Sequence, residues 1–98
     1  MTQSKAKKVI LENDPSYKWK KDWSNKFSHL IGLKIVGVRY LTTEESEASG
    51  WYSSPIVIEL SGGMALIPQS DDEGNDGGAL WIANSKGQED LAPVIRGL

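Results

Sequence analysis

Cysteine is missing from the 98 residues, which removes a disulfide framework, a thiolate nucleophile and a thiolate metal ligand together. Histidine occurs once, as His29, toward the end of a predicted helix, where an imidazole meets terminal carbonyls more often than it serves as a base. Long apolar runs are missing too. The opening MTQSKAKKVILENDPS holds only Val9 to Leu11, too short for a signal-peptide core, and no run nears the roughly 18 residues that span a bilayer. The expectation is a cytoplasmic protein with no membrane contact.

Standard catalytic signatures are also lacking. No nucleophile elbow accompanies Ser28 and His29, and Gly62-Gly63 and Gly77-Gly78 fit turns better than a phosphate loop or dinucleotide fingerprint. Acid–base work by Glu59, Asp71, Asp72 or Asp76 would need two carboxylates converging on a cleft, which spacing alone does not show. An enzyme is therefore the less favoured reading, and no catalytic residue, metal or cofactor is expected.

What is present suits one small domain spanning residues 1–98, with residues 1–13 as a partly flexible arm. Apolar residues make up 39% and charged residues 24%, clear of the low-hydrophobicity, high-charge composition of disordered chains. The net charge of −2 conceals a division. Residues 1–29 carry seven lysines against Glu12, Asp14 and Asp22, giving +4; residues 30–98 carry four basic and ten acidic side chains, giving −6. A basic segment on an acidic body suits an anionic contact or a neighbouring copy, and also a plain solvated lysine face.

The pattern predicts an α+β fold: an N-terminal amphipathic helix packed on a four- to five-stranded antiparallel sheet that curls toward a small barrel. Asp14-Pro15 marks the helix start, Trp19, Trp23, Phe27 and Leu30 or Ile31 line one face, and Gly32 is placed to end it. Lys18, Asp22 and Lys26 are spaced for i, i+4 ion pairs. Leu33 to Leu41 is a β-branched run, expected as a central strand with a bulge or close approach at Gly37. Thr42 and Glu45 form a capping box for a short helix ending at Gly50.

Pro55 follows the aromatic connector Trp51-Tyr52 and opens a strand in which Ile56, Ile58 and Leu60 should face the core. Ser61-Gly62-Gly63 turns it into Met64 to Ile67. Ala79 to Ala83 is expected as the third strand of this series, Asn84 to Gly87 as a turn and Pro93 to Arg96 as an edge strand.

Ser70 to Gly78 packs four carboxylates and three glycines into nine residues, the composition of a hard-cation loop. Spacing argues otherwise. With Asp71 at the first position of an EF-hand loop, Asp76 takes the place of the glycine and Ile82 that of the final glutamate; starting at Asp72 leaves Ala83 at the end. The plainer reading is a loop that folds on its own Asp and Asn side chains. Such a loop is long for a hairpin connection, so Asp71, Asp72, Glu73, Asn75 and Asp76, with Trp51 and Tyr52, are the candidate ligand- or partner-binding residues.

The segments LIGLKIVGVRYLTTEE, GWYSSPIVIEL and LIPQSDDEGNDGGAL resemble a group of short bacterial, phage and environmental hypothetical proteins. The likeness covers about half the chain and carries no assigned activity, so it implies a compact free-standing domain and transfers no site residue. Ser61-Gly62-Gly63 departs from the Asp-Asp-Gly-like turn expected there, which implies that the turn needs no carboxylate.

The sequence thus points to a non-enzymatic binding or interaction module, self-associating or bound to a protein partner through loop 70–78. The alternative is a small nucleic-acid-binding regulator using the lysine-rich N-terminal helix, where Lys18, Trp19, Lys20, Lys21, Trp23 and Lys26 interleave cations and rings. Burial of the tryptophans on the sheet would argue against that alternative.

Overall fold

The structure, a computed structural model, describes residues 13–96. The expected flexible arm therefore lies outside the described residues, apart from Asn13. The chain divides into two units, Met1–Gly32 and Leu33–Leu98.

In the first unit Asp14 organises the helix start. Its Oδ1 accepts from the Ser16 backbone N–H at 2.9 Å and the Ser16 hydroxyl at 2.7 Å. With the hydroxyl turned back toward Asp14, Ser16 makes no side-chain cap bond as helix α1 (Tyr17–Lys26) begins. The helix stops well before Gly32. Ser28 donates its hydroxyl to the Asn25 carbonyl at 2.8 Å, and such a bond competes with the regular ladder. A short 3-10 turn, Ser28–Leu30, follows. His29 Nδ1 lies 3.2 Å from the Lys26 carbonyl, the terminal-carbonyl contact expected of it.

Two expectations for α1 are corrected. Lys18, Asp22 and Lys26 form no ion pair; Lys20 instead pairs with Asp14, and Lys26 sits 4.8 Å over the Trp23 ring. The aromatic face is also not buried, since Trp19, Trp23 and Phe27 remain 70%, 55% and 47% exposed. Their spacing aligns them as a stripe, but alignment says nothing about what covers it.

The second unit is mixed α+β with antiparallel pairing throughout, so the α+β class stands. Strands β1 (Ile35–Tyr40), β3 (Ile56–Leu60) and β4 (Met64–Leu66) form one sheet in the order β1-β3-β4. The predicted central strand β1 therefore lies at an edge, and β3 is central. Its apolar content stays in the open, with Ile35, Val36 and Val38 at least 60% exposed. The ladder shifts register between Ile35 and Gly37, as the mid-strand glycine implied. The element that approaches Gly37 is β3: a Cβ there would lie 2.5 Å from a Glu59 carboxylate oxygen.

Leu60 hands over to Met64 through Ser61-Gly62-Gly63, where φ of 82° and 77° at the two glycines closes the hairpin. Helix α2 (Thr43–Ala48) carries the predicted capping box, with Thr42 Oγ1 accepting from Glu45 N–H and the Glu45 carboxylate accepting from Thr42 N–H.

The expected single sheet of four to five strands is replaced by three smaller sheets among the described residues, and no barrel closes. Strand β5 (Leu80–Ala83) pairs with β6 (Glu89–Ala92), and the two-residue β2 (Ser53–Ser54) pairs with β7 (Ile95–Arg96). Strand β5 does not extend the β3–β4 hairpin, because its four residues are taken by β6 through the Asn84–Gly87 turn. Neighbours in sequence capture each other at the lowest loop-closure cost.

The buried centre is Ser53 to Val57. Val57 is 1% exposed, Ser53 and Pro55 are as completely enclosed, and Ile56 and Leu60 fall to 8% and 7%. The alternation that assigned Val57 away from the core is thus incomplete, since β3 is covered on both faces at its start. Around it converge β1, through Leu41 N–H to the Pro55 carbonyl; α2, through a buried 2.9 Å hydrogen bond between the Ser46 and Ser54 hydroxyls; and β7.

Candidate functional site

Loop 70–78 is built on this centre. Ser70 N–H donates to the Asp76 carbonyl and Gly78 N–H to the Pro68 carbonyl, both at 2.9 Å, and Gln69 bridges to Gly77. The neck is therefore closed by backbone bonds. Gly77 and Gly78 are required here by space. A Cβ on Gly77 would stand 2.6 Å from the Pro55 ring, and one on Gly78 2.6 Å from the Gln69 carbonyl.

Inside the loop, Asp71 Oδ1 accepts from Glu73 N–H at 2.9 Å and Asn75 N–H at 3.3 Å, while Oδ2 accepts from the Asn75 amide at 2.7 Å. These bonds, that from the Asn75 side chain first, hold the Asp71 carboxyl below its ordinary pKa. Asp76 reaches the buried centre: its Oδ1 accepts from Ser53 N–H at 3.0 Å and Gly77 N–H at 2.8 Å. Desolvation, its largest single influence, raises the Asp76 pKa, but the bonds from Gly77, Ser53 and Tyr52 together outweigh it and the net shift is downward.

Trp51 completes the attachment by donating its indole N–H to the Gly74 carbonyl at 2.8 Å. Four of the seven candidate residues, Trp51, Asp71, Asn75 and Asp76, are thus drawn into one self-contained structure. The other three, Tyr52, Asp72 and Glu73, are exposed, Tyr52 by 82%.

No three His, Asp or Glu side chains gather around a common centre among the described residues. Among the described residues, every carboxylate with a displaced pKa is displaced downward. Asp14 is lowered by Lys20 and the Ser16 donors; Glu45 is held at about 2 by Arg39, whose guanidinium nitrogens lie 2.8 and 3.2 Å from its oxygens, and by Thr42. These groups are fixed as anions, the opposite of what a general acid requires.

Composition alone concealed a second surface. Register places Val38, Ile58 and Leu66 side by side across the three strands, and Ile35, Leu60 and Met64 in the next row. Of the middle residues Leu60 is buried and Ile58 half-buried, while the flanking Val38, Leu66, Ile35 and Met64 are 60%, 42%, 64% and 37% exposed. Trp81 and Leu91, opposite each other on β5 and β6, are 66% and 56% exposed. The signal available in the sequence was the apolar excess of β1, which reads equally well as a core strand.

Comparison with protein-family models, with curated proteins and with solved structures gives no match for this chain. Among the described residues, no helix is long and apolar enough to cross a membrane.

Proposed function

We propose that the protein is a non-enzymatic interaction module whose partner is a second copy of itself. The observation that carries this reading is the exposed apolar pair of rows on the β1-β3-β4 sheet, Ile35 with Met64 and Val38 with Leu66. The outer strands β1 and β4 offer backbone groups for edge pairing. Charge balance favours like joining like through the whole chain. Two bodies of −6 would repel, but each brings +4 in residues 1–29, and the outward Asp72 and Glu73 offer anions to a neighbour's lysines.

Magnitudes set the strength. Covering the exposed halves of four aliphatic side chains is worth about 4 kcal/mol, which only meets the low end of the roughly 4–15 kcal/mol that association costs. The Trp81–Leu91 pair and an edge ladder must add to it, so the association is weak and concentration-dependent. A cytoplasmic setting belongs to the same proposal, since the cysteine-free chain requires no oxidising compartment.

Light scattering across a concentration series tests this. The expected result is a dimer at high concentration that Val38→Lys with Leu66→Lys converts to a monomer while the circular dichroism spectrum is kept. A monomer at every concentration, or a dimer indifferent to both substitutions, overturns it.

A further inference from the structure

We propose that helix α1 is a docking platform for single-stranded nucleic acid, with Trp19 and Trp23 stacking on bases and Lys21 and Lys26 meeting phosphates. Trp19 and Trp23 are 70% and 55% exposed, and Phe27 continues the stripe. The Trp23 and Phe27 rings stack at 5.9 Å with planes 13° apart, and His29 tilts against Phe27 at 6.2 Å. Among the described residues, Trp19 is therefore the ring whose faces are free for a flat partner, and Trp23 gains one when Lys26 moves to a phosphate.

Cations already lie against these rings. Lys26 Nζ sits 4.8 Å over Trp23, so a base on the stripe would have an ammonium beside it for its phosphate, while Lys21 Nζ lies 5.9 Å over Tyr17, off the stripe. An open cleft of about 640 Å³ runs along Tyr17, Trp19, Lys20, Lys21, Trp23 and Ser24. At about 100° of rotation per residue, Lys26 falls beside Trp19 on one margin of the stripe and Lys20 beyond Phe27 on the other. Lys20 is engaged by Asp14 and Lys18 falls about 100° off the stripe, which leaves Lys26 beside the stripe and Lys21, across the cleft from Trp19, for phosphates.

Composition separates this occupant from a protein groove. A helix that docks in a protein groove presents apolar anchors at i, i+3, i+4 and i+7. Tyr17–Lys26 contains no aliphatic side chain at all: its apolar surface is entirely aromatic, and four lysines against Asp22 give it +3. Aromatic faces among cations are the chemistry of sequence-tolerant single-strand binding. Double-stranded DNA, whose base faces are closed, would meet the lysines alone.

The test is fluorescence anisotropy of the full chain with a labelled oligo(dT) of about 16 nucleotides, alongside tryptophan quenching. Binding is expected with quenching, and with a log–log salt slope of about −1.4 for two phosphate contacts. Trp19→Ala and Trp23→Ala should each weaken it about fivefold or more. Trp19→Phe should restore most of the loss, which separates lost stacking from lost helix, and circular dichroism checks folding. No binding at low salt overturns the proposal. So does binding unchanged by the tryptophan substitutions, or equal binding of poly-glutamate, either of which would mark the helix as a general cationic surface.

Discussion

Asp76 links a polar loop to the buried centre, and at the scale of single residues that link decides what the loop can do. Its carboxylate is held by Ser53 and Gly77 donors, so Asp76→Ala, which removes the acceptor of both backbone bonds, is expected to lower the melting temperature at neutral pH. Asp72→Asn, on an exposed side chain with no such bonds, should leave it unchanged. Trp51→Phe keeps the ring and removes the 2.8 Å bond to Gly74; a loss of about 1 kcal/mol is expected from the urea midpoint. Gly77→Ala presses a methyl within 2.6 Å of the enclosed Pro55 ring, and about 1–3 kcal/mol should be lost. None of these roles was legible beforehand. Loop composition marked Asp71, Asn75 and Asp76 as residues that bond backbone, but whether the backbone was their own or that of Ser53 depended on a contact spanning 23 positions.

Among the elements, α2 shows how much local sequence can settle. Thr42 and Glu45 satisfy each other's backbone N–H groups within four residues, and no tertiary contact is needed to specify them. Thr42→Ala should cost about 1 kcal/mol, read from thermal or urea unfolding. Glu45 also supplies a pH dependence. Its pKa falls from 4.5 to about 2 because Arg39 and Thr42 favour the anion. A depressed carboxylate contributes stability that is complete above the unfolded value and lost as pH falls toward the folded one. Stability should therefore decline between about pH 4.5 and about pH 2, and Glu45→Gln should flatten part of that decline. The Asp71 and Asp76 shifts have the same sign, so loop and helix weaken together in acid. Strand β1 shows the reverse case: Gly37 announced its irregularity, while its place at the sheet edge was decided by β3 pairing with β4 on the other side.

For the whole molecule, the governing fact is that much apolar surface stays outside. Ile35, Val38, Trp81, Leu91, Trp19, Trp23 and Phe27 are each at least 47% exposed, in a chain with only 39% hydrophobic residues. Such surface is where partners bind. If a second copy covers the sheet, the melting temperature should rise with protein concentration, since a partner that binds only the folded chain adds stability by mass action. Val38→Lys should abolish that rise while leaving the dilute-limit melting temperature nearly unchanged.

What the sequence determined by itself was local. It specified the aromatic stripe, the capping box, the Gly62-Gly63 turn and the irregular Gly37, because each depends on residues within a few positions and on backbone stereochemistry; the helix start expected at Asp14-Pro15 falls instead at Tyr17, after Ser16. What only the tertiary structure decided was pairing and coverage. Strand β6 took β5 from the expected sheet, Ser53 to Val57 became the buried centre, Asp76 and Trp51 turned inward, and the α1 and β1 faces stayed open. Periodicity reports which side chains share a face; which face is buried depends on what the rest of the chain brings against it.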